Sequence, residues 1–162
     1  MISVGDTLPE ATLSRVGAKG PEPVKVSDLT KGKKVALFGL PGAFTSTCSS
    51  AHLPSFMRTA EQFRAKGVDH IICISVNDPF VMKAWDDQHG AGAAGVELLA
   101  DGMSELTKAM GMEFSAPAIG FTDRCKRFSA YVEDGVVKSL NMETAAGVCD
   151  LTAGETLLDQ VP

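Results

Sequence analysis

The stretch Val35-Ala-Leu-Phe-Gly-Leu-Pro41-Gly-Ala-Phe-Thr45-Ser-Thr-Cys48-Ser-Ser-Ala-His52-Leu-Pro54 decides the fold. Val35 to Leu40 is an apolar run between lysines and a Pro-Gly pair, the pattern of a buried strand. Pro41 to Thr47 reads as a loop. Beyond it Leu53, Phe56, Met57, Ala60 and Phe63 recur at spacings of three and four, giving one apolar helix face that Gly67 ends. Pro54 lies inside that periodicity and predicts a kink. His70 to Val76 supplies the next strand. Its Ile71-Ile-Cys73-Ile is apolar on both faces, as in a parallel sheet covered on both sides.

Working outward, Asp78-Pro79 is an N-cap followed by proline at the first helical position. The helix it opens should turn Val81, Ala84 and Trp85 inward and stop near His89-Gly90. Val96 to Ala100 reads as a short strand. Asp101 to Gly111 reads as a short helix with Met103, Leu106 and Met110 on one side. Asp134-Gly135 between Arg127–Glu133 and Val136–Leu140 predicts a two-residue hairpin. Thr152-Ala-Gly-Glu155 reads as a capping box opening a last helix with Leu157, Leu158 and Val161. The order is β-α-β-α-β-α-β-β-α, with an extra strand or turn in the first 30 residues. It predicts α/β class: a thioredoxin-like sandwich whose central mixed sheet is flanked by helices, one domain over residues 1–162.

Composition narrows the function. The 162 residues are 44% hydrophobic and 22% charged, which excludes disorder as the default. No apolar run approaches the roughly 18 residues of a membrane span. Fifteen basic against twenty acidic residues give a net charge of -5, which argues against nucleic acid as a partner. The first fifteen residues carry Asp6 and Glu10 and no apolar core, so no secretory leader is expected and the expected compartment is the reducing cytoplasm.

Of the four cysteines, Cys48, Cys73, Cys125 and Cys149, no two form C-x-x-C, which counts against a dithiol exchange protein. Cys48 falls at the first turn of a helix that follows a core strand, where sites are built in open α/β sheets. The free N–H groups and dipole there favour a thiolate. Thr45 is placed to exchange a hydrogen bond with that sulfur or with a ligand. Cys48 also reads as a small buried hydrophobe, with Thr45 and Thr47 as ordinary caps. Cys48 and His52 at i, i+4 suggest a cysteine hydrolase, but no orienting carboxylate is evident and Pro54 distorts the helix. Cys125, between Arg124 and Lys126, is expected to titrate low. Cys73 reads as a core residue.

Pro41-Gly-Ala-Phe-Thr45-Ser-Thr-Cys48 resembles the P-x-x-x-T-x-x-C signature of peroxiredoxins. His52-Leu-Pro54, Lys66-Gly-Val68, Cys73-Ile-Ser-Val-Asn-Asp-Pro79 and Lys126-Arg-Phe-Ser129 narrow the likeness to the type II/type V branch, the atypical 2-Cys or glutaredoxin-dependent members. It runs from about Val4 to the last helix. The resemblance implies a thiol peroxidase acting on hydrogen peroxide and organic hydroperoxides, with no metal or organic cofactor. It also implies Cys48 as peroxidatic cysteine, Pro41 and Thr45 as residues shaping its pocket, and Arg127 as the arginine arriving from a distant strand. Cys149 and Cys73 are the candidate resolving cysteines, with glutathione/glutaredoxin or thioredoxin as reductant. A homodimer is implied as well. Ser46 departs from the proline that many relatives carry, which predicts a slightly looser loop.

Overall fold

The computed structural model describes residues 1–145 and 147–162. Its strands are β1 (Thr12–Gly17), β2 (Gly20–Lys25), β3 (Lys34–Leu40), β4 (His70–Ser75), β5 (Glu97–Ala100), β6 (Glu113–Ala116), β7 (Phe121–Cys125), β8 (Phe128–Glu133) and β9 (Val136–Met142). Its α-helices are α1 (Val26–Thr30), α2 (Leu53–Ala65), α3 (Pro79–His89), α4 (Ala91–Ala94), α5 (Glu105–Ala109) and α6 (Gly154–Gln160). One mixed sheet runs in the order β2-β1-β5-β4-β3-β8-β9. β3, β4 and β5 are parallel neighbours, while β8 joins β3 antiparallel and β9 joins β8. This is the thioredoxin-like arrangement that the strand and helix order predicts. β6 and β7 form a separate ribbon that the sequence did not signal.

The unbroken apolar run of β3 follows from its having two covered faces. Ala36, Phe38 and Leu40 pack with Leu53, Phe56 and Phe63 of α2, Trp85 of α3 and Leu157 of α6. Val35 and Leu37 alternate to the other face, with Leu29 of α1, Leu106 of α5 and Phe128. Phe56 stacks on Phe38 at 3.9 Å, and Phe56 on Phe63 at 5.8 Å between ring centroids. Each fully buried phenylalanine contributes roughly 1.5–3 kcal/mol of transfer free energy. That packing holds a helix whose 13 residues would be marginal alone.

Several local expectations shift for identifiable reasons. The irregularity expected within α2 lies just ahead of it: Cys48–His52 form one π-helical turn, in which the Leu53 amide donates to the Cys48 carbonyl. Pro54 then sits in the first turn of α2, where a missing N–H is tolerated. In α3 the buried residues are Met82 and Trp85, while Val81 is half-buried and Ala84 exposed. The large side chains at i and i+3 set the inward face. Met103 is 86% exposed. The Asp101 carboxylate accepts from the amides of Leu106 and Thr107, and Ser104 takes a left-handed φ of 57°. Residues 101–104 therefore cap α5 instead of extending it. Thr152 does not cap α6. Ala153 holds the N-cap position, and the Thr152 hydroxyl donates to Glu143 instead. A Cβ on Gly154 would stand 2.5 Å from the Ser55 carbonyl, so glycine is what lets α6 seat on α2. The first 30 residues form the β1–β2 hairpin and α1.

Candidate active site

The loop leaving β3 is tied down from several directions. The Ala43 amide donates to Asn77 Oδ1 (3.0 Å), joining it to the loop after β4. Arg124 Nη1 donates to the Pro41 carbonyl (3.0 Å), with the guanidinium over the Phe121 ring at 4.5 Å. A Cβ at position 42 would stand 2.6 Å from that nitrogen, so Gly42 admits the arginine. Phe44 is half-exposed at a φ of 65°, a strained conformation for a bulky residue. The Thr45 hydroxyl donates to the Gly42 carbonyl (2.8 Å), so its proton closes the loop instead of reaching the sulfur. Its lone pairs are what it can offer a ligand.

Cys48 lies at the start of the π turn, fully buried. Arg127, at the entrance to β8, donates from Nη2 to Cys48 Sγ at 3.2 Å. The antiparallel register explains the meeting. Phe128 pairs with Gly39, so the residue before it lies beside the end of β3. Arg127 is itself buried, and among the described residues no carboxylate lies within ion-pair distance of it. Its other partner is His52, whose Nδ1 lies 2.9 Å from Nη1. Burial and the adjacent guanidinium push the His52 imidazole down from 6.5 to about 3, so the ring is neutral at neutral pH. Since arginine only donates, Nδ1 accepts and Nε2 carries the proton. That proton goes to the Thr152 carbonyl at 3.0 Å.

His52 is the member of this group whose role the sequence did not reveal. The i, i+4 spacing to Cys48 was visible, but it suggested a base for a hydrolase. The geometry makes it an acceptor for Arg127. Arg124, visible only as part of a basic cluster, proves to hold Pro41.

The other cysteines occupy different settings. Burial, reinforced by the neighbouring Cys48 and Cys125 sulfurs, raises the Cys73 thiol well above its ordinary range, and its nearest acceptor is the Ile74 carbonyl at 4.0 Å. Cys125 does not titrate low as expected: burial outweighs the Thr107 hydrogen bond and the Arg127 charge and pushes the thiol up to about 12. Cys149 is half-buried in the loop before α6, its thiol raised by burial. That loop reaches the first turn beside Cys48, because Thr47 Oγ1 donates to the Gly147 carbonyl at 3.0 Å. All four thiols are free. An open pocket of about 300 Å³, lined by Pro41, Phe114, Lys126, Arg127, Glu143 and Gly147 among others, adjoins the group. Arg127 touches both the pocket and the sulfur.

Comparison with known proteins gives one consistent picture. The model of the Redoxin family matches residues 3–156. The chain is 48% identical over 160 residues to chloroplastic peroxiredoxin-2E-2 of Oryza sativa subsp. japonica, covering 96% of this chain and 71% of that one. It is 43% identical over 136 residues to mitochondrial peroxiredoxin-2F of Arabidopsis thaliana, covering 84% and 67%. Among solved structures it is similar to reduced Prx3 of Vibrio vulnificus in complex with hydrogen peroxide, with a TM-score of 0.93, 44% identity and full coverage of both chains.

Proposed function

The chain belongs to the Redoxin family as a type II peroxiredoxin, a thiol-dependent peroxidase, and from that premise we propose that Cys48 is its peroxide-reactive thiol and Arg127 the donor that activates it. The Arg127 contact at 3.2 Å carries this reading. A buried guanidinium without a carboxylate is costly unless an anion balances it. The Cys48 sulfur, bonded to that guanidinium, acts as the nucleophile. It attacks one peroxide oxygen, the O–O bond breaks, and the departing hydroxide or alkoxide takes up a proton as sulfenic acid forms on Cys48. The guanidinium fork stabilises charge on both sulfur and leaving oxygen, and the Thr45 hydroxyl can accept from the peroxide O–H. Pro41 shapes the loop through its carbonyl bond to Arg124.

The substrates are hydrogen peroxide and alkyl hydroperoxides, whose carbon chain can lie along Pro41 and Phe114 of the adjoining pocket. A second thiol then attacks the sulfenic sulfur, releasing water and leaving a disulfide. Glutathione with glutaredoxin is the favoured reductant, because Cys149 stands in a bonded loop and Cys73 is sealed in the core. Thioredoxin acting on a Cys48–Cys149 disulfide is the alternative, favoured by the Thr47–Gly147 contact between the two segments. A reducing compartment such as the cytoplasm suits either route; relatives carry chloroplastic and mitochondrial names.

We also propose a homodimer through the end of the sheet that bears the site. Phe44, Phe80 and Met103, which follow β3, β4 and β5, are exposed there at 47, 60 and 86%. The Ala43 amide bond to Asn77 and the Asp101 amide bond to the Ser75 carbonyl bring these three loops together.

Peroxide consumption supported by dithiothreitol tests the central reading, with dimedone trapping to locate the sulfenic acid. Consumption with the adduct on Cys48 is expected; an adduct confined to Cys149, or no consumption, would overturn it. Mass spectrometry after one equivalent of peroxide decides the reductant. A Cys48 mixed disulfide with added glutathione supports the first route, and a stoichiometric Cys48–Cys149 bond that thioredoxin reduces faster supports the second. Sedimentation at micromolar concentration reads the dimer, and a single monomeric species would exclude it.

A further inference from the structure

The loop between β9 and α6 is closed by a single carboxylate oxygen. Glu143 Oε1 accepts from the Asp150 amide (2.7 Å), the Thr152 amide (2.8 Å) and the Thr152 hydroxyl (2.7 Å). Thr152 is fully buried, and its remaining polar group, the carbonyl, accepts from His52 Nε2. Every polar group of Thr152 is therefore engaged, two on Glu143 and one on His52. A continuous set of bonds runs from Cys48 Sγ through Arg127, His52 and Thr152 to Glu143.

We propose that Glu143 is a positioning residue for the peroxidase reaction, fixing the Thr152 carbonyl so that His52 holds the Arg127 guanidinium against the Cys48 sulfur. This rests on the reading of Cys48 and Arg127 above. The direction of each bond is set by chemistry. Arginine donates, so His52 Nδ1 must accept and Nε2 must donate. The Thr152 carbonyl takes that proton, and the adjoining amide and hydroxyl then need an acceptor. An ionised carboxylate is the acceptor best suited to several donors at once. Partial burial pushes the Glu143 carboxyl up, but the bonds from Thr152, Asp150 and the Leu151 amide outweigh it, and the net shift is downward. With the carboxylate removed, the Thr152 amide and hydroxyl lose their acceptor, and the segment is held through its neighbours, the Gly154 amide on Ser55 Oγ and the Ala153 amide on the Asp150 carbonyl. The ring can then swing, and the guanidinium loses its second anchor. Displacing a catalytic donor by about an ångström costs up to ~10²-fold in rate, and partial loosening three contacts away should cost about tenfold.

The rate constant for loss of the reduced Cys48 thiol on mixing with hydrogen peroxide is the measurement. Glu143→Ala should lower it about tenfold, and Glu143→Gln, which keeps an oxygen acceptor of the same reach, should return it to within about threefold of the parent. In an Arg127→Ala background the same Glu143→Ala change should alter the rate by less than about twofold, because the donor it serves is gone. A purely structural role would carry its full loss into that background. The proposal is overturned by Glu143→Ala within about twofold of the parent, by an undiminished loss in the Arg127→Ala background, or by Glu143→Gln no better than alanine. Should the alanine variant not fold, Glu143→Asp, shorter by one methylene, is judged by the same thresholds. A parent protein whose Cys48 ignores peroxide would instead sink the underlying reading of the site, a result distinct from any of these.

Discussion

Cys48 and Cys73 are both completely buried in the same apolar layer, one at the start of the turn before α2 and the other in the middle of β4. Their hydrogen-bond partners differ. Cys48 has a guanidinium nitrogen at 3.2 Å, whereas Cys73 bonds to the Ile74 carbonyl at 4.0 Å. Burial alone opposes ionisation and makes a thiol inert. On the proposed reading, the guanidinium beside Cys48 supplies what the core thiol lacks, a fixed donor to the sulfur and to the leaving oxygen. Exposure therefore does not separate the proposed reactive cysteine from a core one here. The identity of the neighbouring donor does.

The broadest way to break this comparison is to remove each sulfur in turn. Cys48→Ser should abolish peroxide turnover, and retention of most of the activity would end the distinction. The next effect in size belongs to the donor. Arg127→Ala should slow the reaction with peroxide by ~10²–10³, the worth of one transition-state donor. Arg127→Lys should recover only part, since lysine lacks the planar fork. Near-parental kinetics for the alanine variant would assign the activation elsewhere, with Arg124 the first place to look.

A third effect sharpens the comparison through stability. His52 stays neutral because it is buried beside Arg127. Its folded value, about 3, lies below the unfolded 6.5, so below pH 6.5 the unfolded chain binds the extra proton. Stability from this group should fall as pH drops from 6.5 toward 3, by about 2 kcal/mol at pH 5. His52→Gln, which can accept and donate but does not titrate there, should remove that part of the pH dependence in urea melts. An unchanged slope between pH 7 and 5 would mean that the ring is not held neutral in the folded protein.

The two smallest effects concern the remaining thiols. Cys149→Ser should leave turnover supported by glutathione and glutaredoxin within about twofold of the parent, and a collapse of that turnover would make Cys149 obligatory. Cys73→Ala should leave the rate of the first peroxide reaction within about twofold, because its thiol bonds to the Ile74 carbonyl and does not line the pocket. A large loss would show that the core sulfur shares in the chemistry of the buried one.

The sequence by itself determined the strand–loop–helix unit around Cys48, the apolar second strand, the Asp78 cap and the Asp134-Gly135 turn. Each of these is written in a window of a dozen residues, as a period, a cap or a turn pair whose physics is local. The structure bears them out: Asp78 accepts from the Val81 amide, and Asp134 and Gly135 take φ values of 48° and 79°. The Pro41–Cys48 segment was legible through its resemblance to the peroxiredoxin signature, which is contained within eight residues. Tertiary structure decided what surrounds that motif. Arg127 meets Cys48 across 79 residues because Gly39 pairs with Phe128, a register no local window contains. Thr152, which reads locally as a helix cap, is drawn to Glu143 and His52, contacts that outcompete the cap because they satisfy buried groups. His52 could be seen to share a helix with Cys48. That it would be a neutral acceptor, and not a base, depended on a guanidinium arriving from another strand and on the loss of water around both.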